Sequence, residues 1–372
     1  MTNLATTIEA GRAQPPPPPP KVIGKLGGVK VLGILALLVF VCVLTGTLSS
    51  SFYGGYNLEN LLRRTSLYGI LSIGAAFVII SGGIDLSMGS VVALIGCMLP
   101  WLLVVRGWSV PLALSTVIGL SLLLGLAHGL LITKRRLQPF IVTLCGLLLY
   151  RGIARGFTGD QTQGFQNRYE GLRQLAVGRI PVPGIEGFAL PAPVLILLVV
   201  AVASAIFLNL TVYGRHLLAL GHNERAAAYS GIRTKPLIVL AYVISSFLAG
   251  LGGILFVLDD GSAQPSLLGN FYELWAIAAA VLGGCSLRGG EGSIFGVIVG
   301  AAVLQVLRNA ITLVGIPARL DFAVVGVVIL AGVLVDETVR GIAARRRAAK
   351  QAAISAAAAS AAGTQRDNLS PS

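Results

Sequence analysis

The ionisable side chains that could carry chemistry inside this chain are few, and they lie near the ends of long apolar runs. They are Asp85, Glu273, Glu291 and Asp321. A carboxylate near hydrocarbon is tolerated mainly where it faces protein, water or a substrate path, and ion-coupled carriers use such residues to bind protons or sodium. At the end of a span, a carboxylate also caps a helix or stays hydrated at lower cost. An ion-coupled carrier is therefore kept as an alternative function.

The sequence contains no residue pattern that indicates an enzyme active site or a metal site. His128, His216 and His222 are the only histidines, and they belong to no Ser/His/Asp or two-carboxylate constellation. The sequence lacks the Gly-x-x-x-x-Gly-Lys-Ser/Thr phosphate loop, so the chain does not hydrolyse ATP by that chemistry. The four cysteines lie in apolar stretches without Cys-x-x-Cys spacing and are expected to be small core residues. We expect no enzyme activity, no metal and no cofactor in this chain.

The composition is that of an integral membrane protein. Of 372 residues, 55% are hydrophobic and 12% are charged, which is too apolar for one soluble core in a polar shell. The mean hydropathy is +0.83. The net charge of +13 could suggest nucleic acid, but the basic residues gather at the ends of apolar runs. Orientation in a membrane explains that distribution better, so no nucleic-acid partner is expected.

Apolar runs of about 20 residues, separated by helix breakers, predict an all-α polytopic protein of about ten transmembrane helices. Residues 1–27 form a Pro-rich leader expected to be disordered and cytosolic, 28–337 the transmembrane domain, and 338–372 a basic, alanine-rich cytosolic tail. The predicted spans are 29–48, 62–81, 85–105, 110–133, 138–156, 191–210, 236–257, 272–287, 293–314 and 318–335.

Three basic clusters predict one orientation. With the N-terminus inside, an alternating count places 134–136, 215–235 and 340–350 on the cytosolic side, together with both termini. Arg63 and Arg64 fit this count less well, because it places them near the outer face. The largest external segment is then about 157–191, a polar and glycine-rich loop that is a candidate docking surface.

The stretch Ser81–Ser90, SGGIDLSMGS, interrupts one apolar run. Gly82-Gly83 continues a helix poorly, whereas Asp85 or Ser87 is a good N-cap for the next helix. Free amides at a helix start need partners in lipid, which is a purely structural use for these oxygens. Broken helices also mark substrate paths in transporters, so both readings stay open. A similar run from a Gly pair to Gly-Ser occurs at Gly283–Ser293, and glycine-rich composition alone accounts for it.

The stretch Gly221–Pro236, GHNERAAAYSGIRTKP, predicts a short cytosolic helix between two spans. Asn223 can cap it, Gly231 can end it, and Pro236 can open the next span. Composition alone favours an ordinary connector, in which the charge of Glu224 is simply solvated.

Three longer stretches carry a family resemblance. SGGIDLSMGSVVAL, YGRHLLALGHNERAAAYSGI and SAQPSLLGNFYELWAIAAAVLGGCSLRGGEGSIFG together resemble the ribose/xylose/arabinose-type permease subunits of ATP-binding-cassette importers. The similarity runs in order from about Asn57 to Glu337, which is most of the chain. Three long matches in the right order are far more specific than a glycine pattern.

The resemblance implies a type II-like permease in the cell inner membrane, embedded in lipid and paired with an identical or different second permease. It also implies an extracytoplasmic binding protein that delivers a monosaccharide and a separate ATPase that binds ATP. The family's coupling loop, which docks onto the ATPase, matches 214–235, with Gly221, Asn223, Glu224, Ala226, Ala227, Ser230 and Gly231. The candidates for helix breaks and the sugar pathway are Gly82, Gly83, Asp85, Ser87, Gln264, Pro265, Glu273, Gly283 and Gly284.

The sequence departs from the family pattern at three positions. Trp275 stands where the family commonly has Asp, Cys285 where Thr is common, and His222 where Gly is common. Trp275 leaves the identity of the sugar open. A permease for another small solute, such as a branched-chain amino acid, is a further alternative, but the match around Asp85 and Gln264-Pro265 favours a sugar.

Overall fold

The protein is described by a computed structural model covering residues 23–181, 184 and 188–317, with isolated positions up to 330. Its helices are α1 Ile23–Leu48, α2 Gly55–Ile80, α3 Met88–Pro100, α4 Val110–Arg135, α5 Pro139–Thr158, α6 Glu170–Val177, α7 Ala192–Leu210, α8 Val212–His222, α9 Glu224–Tyr229, α10 Thr234–Asp260, α11 Tyr272–Leu282 and α12 Ile294–Leu313. Short antiparallel pairs join β1 Gln163–Gly164 to β4 Ser262–Ala263, and β2 Arg179–Pro181 to β3 Ala189–Pro191.

The all-α polytopic class predicted from the sequence is confirmed. Within the described residues, seven helical segments are long and apolar enough to cross a membrane. They are α2, Met88–Val105, α4, α5, α7, α10 and α12, where Met88–Val105 joins α3 to a π-helical turn. Two further apolar helical segments are shorter, Leu32–Leu48 in α1 and α11 with 11 residues, and the predicted span 318–335 falls outside the continuously described part. The total of ten therefore stays a prediction.

Helix α2 forms the centre of the domain. Its residues from Thr65 to Ile80 are all buried, as expected for a helix that is apolar on every side. Helices α7, α10, α11 and α12 pack around it. Helices α4, α5 and α7 instead expose rows of large apolar side chains, mainly leucine, which suits contact with lipid. The expectation of core cysteines is right for Cys97 and Cys285. It is wrong for Cys145, which is exposed on α5, and Cys42 is only half-buried on α1.

Two arginines that fit the orientation count poorly are neutralised by acidic partners. Arg63 lies 3.5 Å from Asp259, and Arg64 lies 3.6 Å from Asp259 and 3.3 Å from Asp260. Both aspartates end α10, which runs antiparallel to α2. The four residues thus form a compensated cluster at one end of the domain.

Candidate functional site

Two interrupted helices form the most distinctive feature of the domain. Helix α2 ends at Ile80, an irregular segment of residues 81–87 follows, and α3 begins at Met88. Helix α10 ends at Asp260, residues 261–271 follow, and α11 begins at Tyr272. Helix α3 packs on α10 whereas α11 packs on α2, so each short helix lies against the long helix of the other pair. We call these irregular segments the first and second breaks.

The N-termini of α3 and α11 meet inside the domain, at a place that we call the crossing point. Gly89, in the first turn of α3, lies against the Gly269 carbonyl and the carboxylate of Glu273, which is in the first turn of α11. The Glu273 carboxylate accepts a hydrogen bond from the Gly89 N–H. A Cβ atom at Gly89 would overlap both neighbours. The first turns of two helices thus share one buried carboxylate.

The first break is organised by Asp85, which is buried. Its Oδ1 accepts hydrogen bonds from Ser87 N at 2.9 Å and Ser87 Oγ at 2.6 Å. Its Oδ2 accepts a hydrogen bond from Ser245 Oγ at 2.7 Å. Ser245 lies 11 residues into α10, roughly 16 Å from its start, so the carboxylate lies deep within the domain. Ser87 occupies the N-cap position of α3, but its own side chain makes no capping bond. Asp85 therefore supplies the bond to the helix start.

Distant helices supply further partners for the first break. The carbonyl oxygen of Ile84 accepts hydrogen bonds at 3.3 Å from Tyr242 Oη in α10 and from Thr143 Oγ1 in α5. Behind them, His128 Nε2 lies 2.8 Å from Tyr150 Oη. The sequence analysis missed these partners because nothing in local spacing links α4, α5 and α10 to residues 81–87.

The second break is held by Arg151 of α5. Its Nη1 donates to the carbonyl oxygens of Pro265 at 2.8 Å and Leu268 at 2.5 Å. The Gln264 carbonyl accepts a bond from Leu268 N at 2.9 Å. Arg151 lies seven residues from the end of α5, about 10 Å along the axis, so these carbonyls lie within the helical domain. Irregular backbone at membrane depth needs such partners. Sequence reasoning missed Arg151, although a lone arginine in an apolar run is a signal.

Gly283 and Gly284 do not join the crossing point. They end α11, and Gly283 packs against the backbone of Gly296 in α12. Gly284 adopts a positive φ of 94° in the turn that follows. The structure therefore places these two pathway candidates at the opposite end of α11 from Glu273.

Three glycine-rich segments meet at that end of the domain. Gly290 N donates to the Ile80 carbonyl at 2.9 Å. Gly289 lies against Gly221 and Gly82, so these backbones touch where a side chain would not fit. The end of α8, the end of α2 and the loop before α12 are therefore packed as one unit.

The short helix predicted after Asn223 is confirmed as α9, Glu224–Tyr229. Asn223 Oδ1 accepts a hydrogen bond from Ala226 N at 3.0 Å, and Ser230 Oγ donates to the Ala226 carbonyl at 3.0 Å. Gly231 follows with a φ of 83°. The helix has one buried residue, Ala227, and otherwise faces outward.

The outward surface of α9 carries an exposed aromatic side chain. Tyr229 is 92% exposed, far more than a tyrosine that serves only the chain's own packing. Glu224 and Arg225 are exposed beside it. This composition is suited to a partner surface, because aromatic and arginine side chains are enriched in protein interfaces.

Comparison with known proteins identifies the family. Residues 57–333 match the model of a family described as "Branched-chain amino acid transport system / permease component". The chain belongs to this permease family. The resemblance drawn from the three sequence stretches is thereby confirmed, and the chain is a transport permease and not an enzyme.

The similar proteins are sugar permeases from several bacteria. The ribose import permease protein RbsC of Escherichia coli K12 is 37% identical over 305 residues, covering 82% of this chain and 92% of RbsC. RbsC of Bacillus subtilis is 35% identical over 316 residues, covering 85% and 93%. The xylose transport system permease protein XylH of E. coli K12 is 31% identical, covering 84% and 92%. No solved structure gives a significant match.

Proposed function

We propose that this chain forms the transmembrane pathway of an ATP-driven monosaccharide importer. The observation that carries the proposal is its 31–37% identity, over more than four fifths of the chain, to permeases named for ribose and xylose. The protein is a multi-pass protein of the inner membrane, and both termini are cytosolic in this proposal. The basic residues Arg136 and Lys235 support that orientation, because they line the same cavity and so lie at one end of the domain.

The proposed assembly contains partners that supply energy and substrate. A separate ATPase binds ATP, since the chain has no phosphate loop, and an extracytoplasmic binding protein delivers the sugar. A second permease, identical or different, completes the pathway. The external segment 157–191 is the proposed docking surface for the binding protein. It contains α6 and the strands β1–β3, and β1 pairs with β4 within the second break.

Coupling to the ATPase is assigned to residues 214–235, with α9 as the docking helix. Its exposed Tyr229 enters the partner surface, and its buried Ala227 holds the helix against the permease. The packed glycines Gly221, Gly82 and Gly290 connect the start of this loop to the first break. A movement of α9 would therefore be transmitted through contacting backbone to the place where α3 and α11 meet. In this proposal, alternating access results from that transmitted movement.

In this proposal the sugar pathway runs along the first and second breaks and does not depend on a charged binding site. The carboxylates of Asp85 and Glu273 are engaged by hydrogen bonds at helix starts. This arrangement disfavours the ion-coupled carrier, because a coupling carboxylate must release its partners to bind an ion. Of the other two candidates, Glu291 is half-buried in the loop before α12, and Asp321 lies outside the described residues. Sugars offer hydroxyl groups and no charge, so a path lined by small and hydroxyl-bearing residues suits them.

The family description favours a second candidate substrate, a branched-chain amino acid. One reconstitution separates the possibilities. The chain is placed in proteoliposomes with its ATPase and binding protein, and uptake of labelled ribose, xylose and leucine is measured with and without ATP. We expect ATP-dependent sugar uptake that survives collapse of ion gradients. Leucine uptake would favour the amino acid, and sugar uptake by the permease alone under an ion gradient would favour the carrier.

A further inference from the structure

The end of the domain that carries α9 also contains a cavity lined by basic side chains, which an uncharged sugar does not require. It has a volume of about 360 Å³, at the lower end of the usual range for small-molecule sites. Its walls come from the first break, the turn between α4 and α5, α9 and the start of α10. They include Gly82, Gly83, Arg136, Glu224, Lys235 and Tyr242.

The charges of the cavity select an anionic ligand. Arg136 ends α4 in a left-handed conformation with φ 55°, and Lys235 is the second residue of α10. Among the described residues, neither cation lies within salt-bridge distance of a carboxylate, including Glu224. A guanidinium fork and an ammonium group are the side chains that proteins use for phosphate. The start of α10, where Lys235 lies, adds the positive end of a helix dipole.

The rest of the wall selects hydroxyl groups. The Glu224 carboxylate accepts hydrogen bonds and repels a second anionic group. Gly82 has a φ of 85° and open space where a side chain would stand, so the ligand meets bare backbone there. Tyr242 is fully buried in the floor of the cavity, where its Oη is engaged with the Ile84 carbonyl. A ligand with one phosphate and several hydroxyls matches all of these features.

We propose that this cavity binds a phosphate-bearing polyol and that its occupation slows transport. The ligand is either a soluble sugar phosphate or the phosphoglycerol headgroup of an anionic lipid, which share this chemistry. It bridges the first break, the α4–α5 turn and the start of α10, and so restrains these three segments relative to one another. The inhibitory effect rests on the coupling role proposed for α9, whereas the binding itself does not.

Binding is measured on the full chain in phosphatidylcholine nanodiscs, with labelled ribose 5-phosphate as the probe and with ribose and inorganic phosphate as competitors. We expect competition by phosphate and little by ribose. Arg136→Asn, which removes the charge and suits the left-handed turn, should weaken binding about tenfold, as should Lys235→Gln. Arg135→Asn is the matched control, because Arg135 is exposed one residue away and does not line the cavity.

The source of the ligand is distinguished by the lipid. If phosphatidylglycerol in the nanodisc displaces the probe from the unmodified chain and not from Arg136→Asn, the headgroup occupies the same site and the proposal stands with the lipid as ligand. Equal binding of ribose and ribose 5-phosphate, equal loss in Arg135→Asn and Arg136→Asn, or no binding of either anion would overturn it.

Inhibition is measured as sugar-stimulated ATP turnover of the assembled complex. We expect ribose 5-phosphate to lower turnover at least threefold in the unmodified complex and less in Arg136→Asn. Turnover without the ligand tests the proposed function separately. Sugar-stimulated turnover that is present but insensitive to a bound ligand would refute the inhibitory effect alone.

Discussion

Truncation of Tyr229 tests whether α9 docks onto a partner. The side chain is 92% exposed in the isolated chain. Complete burial of a tyrosine removes roughly 150–250 Å² from water, which at about 25 cal/mol per Å² sets an upper limit of about 4–6 kcal/mol. The cost of ordering the side chain reduces this value. We expect Tyr229→Ala to weaken association with the ATPase by about 2 kcal/mol, typical of a central interface residue, or roughly 30-fold.

The matched control is Tyr213→Ala on α8, which removes the same side chain from a position that is 62% exposed and lies outside α9. Ala227 is unsuitable for this test although it lies on the same helix, because it is only 5% exposed. A bulky side chain there would disturb the permease itself. Ala228→Trp, at an exposed position, places the bulk on the docking side.

The assay combines titration of the ATPase onto the permease in nanodiscs with sugar-stimulated ATP turnover. Thermal unfolding of each variant shows that the fold is intact. A change of less than threefold in affinity for Tyr229→Ala, or an equal loss in Tyr213→Ala, would refute the assignment of α9 as the docking helix.

Three further predictions concern the membrane domain. Asp85→Asn should lower the melting temperature less than Asp85→Leu. Asn still bonds to the start of α3, whereas Leu leaves buried hydrogen-bond partners unpaired at about 1–3 kcal/mol each. Loss of transport in Asp85→Asn with the fold intact would instead show that the charge itself is needed. Trp275→Asp should be more stable than Trp275→Ala. Arg308 Cζ lies 4.7 Å from the Trp275 ring centre, and the guanidinium can pair with a carboxylate in place of the ring. Equal melting temperatures of the two variants would contradict this. Arg64→Asp should lower the free energy of unfolding by about 1–3 kcal/mol through the compensated cluster. Adding Asp259→Arg to this variant should restore part of that loss. If the two substitutions instead lower the stability additively, the charges do not interact.

Local signals in the sequence predicted the helices and the ends of several of them. The apolar runs predicted α2, α4, α5, α7, α10 and α12 to within a few residues at most ends, because hydrocarbon requires long apolar helices. The sequence Asn223 to Gly231 predicted α9 and its cap, since capping acts within one helical turn. The span predicted at 272–287 was too long, because Gly283 ends α11 after 11 residues.

The sequence by itself determined the membrane class, most of the helical spans, the first break and the family. Only the tertiary structure decided which breaks face each other. Asp85 meets Ser245, and Gly89 meets Glu273, across separations of more than 150 residues. Such pairs depend on how α2, α3, α10 and α11 cross, and no local spacing encodes a crossing. The cavity beside α9 has the same origin, because Arg136 and Lys235 acquire a common function only when the ends of two helices are packed together.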